Sequence, residues 1–476
     1  MIRVSIFHTN DMHGRLDAIA RLSHFARRLR AESEAEGRAA FLWDAGDAED
    51  RAIRICSISK GAGFQGVMNA MGYTLTVVGN SVSLPYGPQA MAGITALARF
   101  PILAANLRDG DGPLPPGVQE RALVPLPGGL RMGVIGLTAP WGDAYEPFGL
   151  HMPDFVAVAS RLAAALRAEG AAPIALLSHL GLNDDRKVAA AVPEVDFIIG
   201  GHSHSLLPEG EVVNGVLIAQ TGNYAEGLGR VDLALDSKTG AVVDKSARVL
   251  SVPADEPPDP SVLAAIAAAE ADTERLLARR VGELREPLAL DHFNECGIGN
   301  MTADAVRERM GAECAIIATG MFHRPLPAGV ITLADLDAAC FSSANPAVTS
   351  VRGSQIKAAL EKGLDTEFTG QTLKALRGTP IGSPQVSGMR VEYDPGREVG
   401  SRVVRVWVNG EPLHPNRMYR VAHTDVEISD FMGYLALDAG QETQYEVPTI
   451  LREVMEDYIR QHSPVPLPHA GRWVRS

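Results

Sequence analysis

The sequence predicts a protein of two layered domains, an α/β domain followed by a second domain of α/β or α+β type. Three observations carry this prediction. The chain has 476 residues, and domains usually run to about 100–200. Residues 2–250 alternate short β-branched runs with helical patterns, the signature of a layered α/β domain. A proline- and acid-rich stretch, VPADEPPDP at 252–260, then interrupts the alternation with the composition of a linker. These features place a first domain at 1–255, a linker and connecting helix at 256–282, and a second domain at 283–476.

The elements follow in order. IRVSIF is the first strand, and Ile19, Leu22, Phe25 and Leu29 then recur at helical spacing between arginines, predicting a helix that ends near Gly37. Further strands are read at AFLWD, TLTVV, MGVIGL, PIALLS, DFIIG and GVLIAQ. After the linker, SVLAAIAAAEADTERLLARR is rich in strong helix formers. In the second domain GNMTADAVRERMG and SQIKAALEKG read as helices, ECAIIA as a strand, and RVVRVWVNGEPL as a hairpin turning at Asn-Gly.

Composition narrows the function. With 46% hydrophobic and 21% charged residues the chain is that of a globular protein. Lys+Arg at 44 against Asp+Glu at 57 gives a net charge of -13, which repels a phosphate backbone, so no nucleic acid duplex is expected as a partner. Cys56, Cys296, Cys314 and Cys340 form no CxxC pair and read as buried reduced thiols. No stretch approaches the ~18 apolar residues of a membrane span. Met1 leads directly into a strand, so a cytoplasmic location without a membrane partner is expected.

The polar residues sit where the strands end. IRVSIF is followed by HTNDMHG, FLW by DAGD, TLTVV by GNS, PIALLS by HLG and DFIIG by GHSH. Ligands collect at the carboxyl ends of strands in open α/β sheets, so Asp11, His13, Asp47, Asn80, His179, His202 and His204 are expected to converge. Read singly, Asp47 after Gly46 is better explained as a helix cap than as a ligand, and Asn80 after Gly79 as a turn residue. Together, seven nitrogen and oxygen donors without a cysteine are too many for one tetrahedral zinc. They suit two divalent ions bridged by a carboxylate, with manganese, zinc and iron equally served. Such a pair acidifies water and screens the oxygens of a phosphoryl group, which makes phosphate-ester hydrolysis the natural chemistry.

HTNDMHGRL, DAGD, VVGN, LSHLG and GGHSH, with GNMTADAVRERM, ECAIIATGMFHR, QVSGMRVEYD and YRVAHTD further on, give the chain its resemblance to a known family. It resembles the 5′-nucleotidase and 2′,3′-cyclic phosphodiesterase family of calcineurin-like metallophosphoesterases. The resemblance implies an N-terminal metallophosphoesterase domain, a β-sandwich flanked by helices, and a C-terminal α+β domain of 5′-nucleotidase type. It implies that Asp11, His13, Asp47 and His204 hold one metal and that Asp47, Asn80, His179 and His202 hold the other, with Asp47 as the bridge. Asp47 and Asn80 become catalytic residues beside a metal-bound hydroxide that attacks phosphorus. Gly320 and Arg324, in TGMFHR, become contacts to a small phosphorylated ligand.

The sequence departs from the family where the family handles nucleotides. GNHE reads GNSV, so Ser81 replaces an imidazole, and Leu84 stands near the place of its acidic partner. General acid catalysis contributes about 100- to 10,000-fold, so weak monoester hydrolysis and a shift towards phosphodiesters or activated esters are expected. Ser343 and Val426 occupy the positions of base-stacking aromatics, while Thr319, Asn294 and Met432 replace other contacts. A typical nucleoside monophosphatase is therefore not expected. The alternative is a catalytically silent homologue that binds metal and a phosphorylated ligand. His323 is a candidate replacement imidazole, whereas His24 and His423 read as satisfied or surface histidines, and Phe322, Phe431 and Tyr434 as core.

Overall fold

The computed structural model describes residues 1–476 apart from Phe341 and Phe431; the sequence reading of Phe431 as core lies outside the described residues. The chain divides into two units, Met1–Glu274 and Arg275–Ser476.

The first unit is the layered α/β domain expected. Its strands are β1 (Ile2–Thr9), β2 (Ala39–Asp44), β3 (Leu75–Val77), β4 (Ile102–Leu103), β5 (Arg121–Pro125), β6 (Arg131–Leu137), β7 (Ile174–Ser178), β8 (Phe197–Ile199), β9 (Glu211–Val213), β10 (Val216–Ala219), β11 (Gly227–Leu235) and β12 (Val242–Ser251). They form two six-stranded sheets, ordered β12-β11-β1-β2-β3-β4 and β5-β6-β7-β8-β10-β9. Strands β1 to β4 of the first sheet, and β6, β7, β8 and β10 of the second, run parallel.

The period-2 alternation of side chains explains the layers. Val4, Ile6, Trp43, Val77, Ala175, Leu177, Phe197 and Ile199 fill the space between the sheets, where the Trp43 and Phe197 rings stack at 6.4 Å. The alternate residues face outward. Phe7 and Leu42 meet Ile19, Leu22 and Phe25 of helix Leu16–Ala35, and Leu176 and Ile198 meet Leu162 and Leu166 of helix Phe155–Ala168. Each fully buried aliphatic or aromatic side chain contributes roughly 1.5–3 kcal/mol.

The segment with linker composition is docked. Glu256 and Asp259 are 8% and 3% exposed. His24 Nδ1 lies 2.7 Å from Glu256 Oε1, and Asp259 Oδ2 accepts from Ser23 Oγ at 3.0 Å and Arg27 Nε at 2.9 Å. Its acids meet the arginine-rich face of the first helix. Val262, Ile266 and Ala269 of the following helix, Pro260–Leu277, join the same core.

The second unit is built around a five-stranded sheet, joined by a four-stranded and a two-stranded one. Its central strands are Cys314–Ala318, Met418–Thr424 and Pro346–Arg352. Helix Gly353–Gly363 inserts Ile356 and Leu360 between that sheet and strands Met389–Tyr393 and Val403–Val408. The expected hairpin forms, turning through Asn409 and Gly410 at φ 50° and 87°. Phe322 and Tyr434 are buried, and His423 is satisfied by Thr349 Oγ1 at 2.9 Å and the Thr424 carbonyl at 2.8 Å. Among the described residues no helix is long and apolar enough to cross a membrane.

One buried carboxyl in this unit carries a pH-dependent stability term. Glu427 accepts from the Ala318 N–H at 2.8 Å and from the Thr424 N–H and hydroxyl at 2.7 and 2.5 Å. Burial nevertheless lifts it from the ordinary 4.5 to about 7. Because the folded value is raised, its contribution is complete below the unfolded value and is lost as pH rises from 4.5 through about 7. The melting temperature of the native chain relative to Glu427→Gln is therefore expected to fall over that interval. A constant difference between the two would show that Glu427 does not titrate there.

Candidate active site

The carboxyl ends of the parallel strands bring the seven donors to one edge of the first unit. Asp11 and His13 follow β1, Asp47 follows β2, Asn80 follows β3, His179 follows β7, and His202 and His204 follow β8. The loops after β1 and β2 are zipped together: Asp11 N–H donates to the Gly46 carbonyl and His13 N–H to the Asp47 carbonyl, both at 2.9 Å. Five of the eleven non-glycine residues at positive φ among those described are Asp11, His13, Asp47, His202 and His204. Left-handed backbone is costly outside glycine, and its concentration at one locus marks positions that the surrounding contacts hold in place.

Two groups of donors form. Asp11, His13 and His204 offer ligand atoms that all lie within 4.8 Å of one another, and so do Asp11, Asp47 and His179. Asp11 is common to both groups. The Nε2 atoms of His13 and His204 face each other at 3.0 Å. The His179 Nδ1–H donates to the Ala45 carbonyl at 2.6 Å, which turns Nε2 towards Asn80 Oδ1 at 3.1 Å and Asp47 Oδ2 at 3.3 Å. His202 belongs to neither group; its ring lies 5.1 Å from that of His179, and its N–H donates to Asp11 Oδ2 at 2.8 Å. Gly320 and Arg324 belong to the second unit. The Gly320 N–H is bonded to the Ile381 carbonyl at 3.0 Å, and Arg324 is exposed.

The electrostatics call for cations. Burial raises Asp11 above the ordinary carboxylate range. Burial pulls Asp47 the same way, but the facing His179 overrides it and holds Asp47 down to about 2. Burial alone would lower His179, yet Asp47 and Asp11 lift it to about 9. His202 is pulled down to about 4 by burial and then by the charge on His179. Asp11 Oδ1 is buried without a hydrogen-bond partner, although a buried carboxylate oxygen left unsatisfied is expensive. An orphaned anionic oxygen facing three imidazoles and a second carboxylate is the donor chemistry of a divalent metal site, and these residues fit one.

Sequence reasoning missed the residues that hold this arrangement. Asn10 donates to Asp11 Oδ2 at 2.8 Å and to the Gly222 carbonyl at 2.7 Å, and its Oδ1 accepts from the Thr221 N–H and hydroxyl at 2.9 and 2.8 Å. Asp50 Oδ2 lies 3.2 Å from His13 Nδ1, the carboxylate–imidazole pairing that orients metal-binding histidines. Asp185 accepts from Ser178 Oγ and Gln220 Nε2, and Gln220 accepts from Ser203 Oγ, which ties the β7 and β8 loops. Asn10 lies inside HTNDMHG and Asp50 three residues beyond DAGD, so proximity to these motifs was the available signal.

The fold and the donor set resemble those of a two-domain metallophosphoesterase. By sequence, residues 280–438 match the 5′-nucleotidase, C-terminal domain family. The chain is 28% identical over 456 residues to the uncharacterized metallophosphoesterase YunD of Bacillus subtilis, covering 95% of this chain and 98% of that one. It is 25% identical to a snake venom 5′-nucleotidase from Naja atra, covering 99% and 98%. Among solved structures it superposes on the NAD nucleotidase NadN of Haemophilus influenzae with a TM-score of 0.63, at 18% identity and over 100% and 99% of the two chains. The chain is thus similar along its length to a metallophosphoesterase, and its residues 280–438 match the 5′-nucleotidase C-terminal domain.

Proposed function

We propose that the protein is a metal-dependent hydrolase of phosphate esters, acting on a small phosphorylated ligand rather than on a nucleic acid duplex. The observation that carries this reading is the buried, unpartnered Asp11 Oδ1 among converging imidazoles and Asp47. The named activities of its homologues, metallophosphoesterase and 5′-nucleotidase, support it. In this reading Asp11, His13, Asp47 and His204 hold one divalent ion and Asp47, Asn80, His179 and His202 the other. Bound there, such ions supply Lewis acidity towards phosphoryl oxygens and acidify water.

The chain's own groups do the rest. The Ser81 N–H donates to Asp47 Oδ1 at 2.8 Å, fixing the carboxylate. The Ala45 carbonyl fixes the His179 tautomer, and Asn10 fixes Asp11. Position 81, which follows Asn80, is a serine rather than an imidazole, so the leaving oxygen gains less from proton donation. Substrates whose leaving groups need little protonation, phosphodiesters and activated esters, are therefore favoured over nucleoside monophosphates. The reading includes a cytoplasmic location, to which the four free, buried thiols Cys56, Cys296, Cys314 and Cys340 lend support.

The test is hydrolysis of a nitrophenyl phosphodiester, a nitrophenyl monoester and a nucleoside monophosphate. A strong chelator is expected to abolish turnover and added manganese to restore it, with the diester preferred. Absence of turnover by the manganese-loaded protein on all three would favour a silent metal- and phospholigand-binding homologue.

A further inference from the structure

Trp141 stands out at the edge where the donors gather. It follows the carboxyl end of β6 and is 44% exposed, the one aromatic of the first unit exposed to that degree among the described residues. Its indole packs edge-to-face with the His202 ring, the centroids 4.8 Å apart and the planes at 68°. Single exposed apolar residues are ordinary on protein surfaces; this one is held against a candidate ligand.

The segment that presents it is fixed on both sides. Before Trp141, the Asn106 amide donates to the Thr138 carbonyl at 2.8 Å and accepts from its N–H at 2.9 Å. After it, the Ala144 and Tyr145 N–H groups donate to the Trp141 carbonyl at 3.0 and 3.2 Å. Tyr145 is fully buried, and its hydroxyl lies 2.6 Å from Ser83 Oγ, in the short helix Asn80–Ser83 that begins with a candidate ligand. The exposure of Trp141 is thus built in, and it places a ring surface open to solvent beside His202.

We propose that Trp141 is a stacking platform for a planar aromatic substituent of the phosphoester, and so a determinant of specificity. The inference rests on the phosphoester-binding reading above. Stacking on an exposed ring needs no directional hydrogen bonds, and it is pre-organised because the indole is already held.

The experiment uses the manganese-loaded full chain and two ligands that cannot be hydrolysed, phenylphosphonate and methylphosphonate, with affinities read by titration calorimetry. The native protein is expected to prefer the phenyl ligand. Trp141→Ala is expected to weaken phenylphosphonate about tenfold, in line with stacking losses elsewhere, and to leave methylphosphonate unchanged, whereas Trp141→Phe retains most of the preference. Equal weakening of both ligands would mean that Trp141 only orients His202 and would overturn the proposal. No change in either, or no binding of either ligand to the native protein, would overturn it as well. Since binding requires no turnover, an inert protein with an intact, Trp141-dependent phenyl preference would sink the hydrolase reading while leaving this one standing.

Discussion

Asp47→Asn is expected to remove metal-dependent turnover by at least about 100-fold, the upper range seen when only the outer partners of metal ligands are altered, while the protein remains folded. Asp47 is 4% exposed and held ionised, at about 2, against the charge of His179. Asparagine keeps its volume and an oxygen to accept the Ser81 N–H, so the β2 loop retains its anchor. What disappears is the buried negative charge that faces His179 in the group Asp47 forms with Asp11 and His179. Metal content should fall together with turnover, and the far-ultraviolet circular dichroism should not change. Full activity in this variant would remove Asp47 from the machinery and with it the two-ion reading. The charge change is buried, so the effect should persist at high salt, where surface electrostatics are screened.

Much of this was legible in the sequence because the fold separates its tasks by position. β-branched runs alternating with helical periodicity specify the layers, and the residues just beyond each run specify the edge. Val4, Ile6, Phe7 and then Asp11 and His13 show both within one segment. The supports were not legible, since their meaning depends on partners far away in the chain. Asp185 lies beside Asp184 in the first turn of helix Leu182–Ala191, where acids are ordinary. Only the fold shows that Asp185 is buried against Ser178 and Gln220, and that burial lifts its carboxyl to about 7. Trp141 lies between a proline and a glycine, in a stretch with no periodicity to mark it. The segment at 252–260 fails for the opposite reason, because prolines and acids do signal a link, but composition is silent on the arginines that wait for those acids on the first helix.

Gly79→Ala is expected to be nearly as damaging as the loss of Asp47, although it removes no functional group. Gly79 has φ of −89°, so the backbone alone would accept alanine without strain. The obstacle is the neighbour: a Cβ there would stand 2.0 Å from Asp47 Oδ1 and 2.4 Å from the Asp47 backbone nitrogen. Asp47 has no room to retreat, since its loop is zipped to that of β1 through the His13 N–H and its carboxylate faces His179. A misplacement of about 1 Å at such a centre costs about 100-fold in rate, and overpacking adds roughly 1–3 kcal/mol of instability. Turnover and metal affinity should therefore both drop, with a lowered melting temperature that added manganese restores less than in the native protein. Gly37→Ala is the control, because its Cβ would meet nothing within 4 Å, though φ there is +74°. That variant bears the backbone strain without touching the site, and should lose stability while keeping its rate. If instead Gly79→Ala bound metal and turned over like the native chain, the close approach of the β2 and β3 loops would not be what positions Asp47.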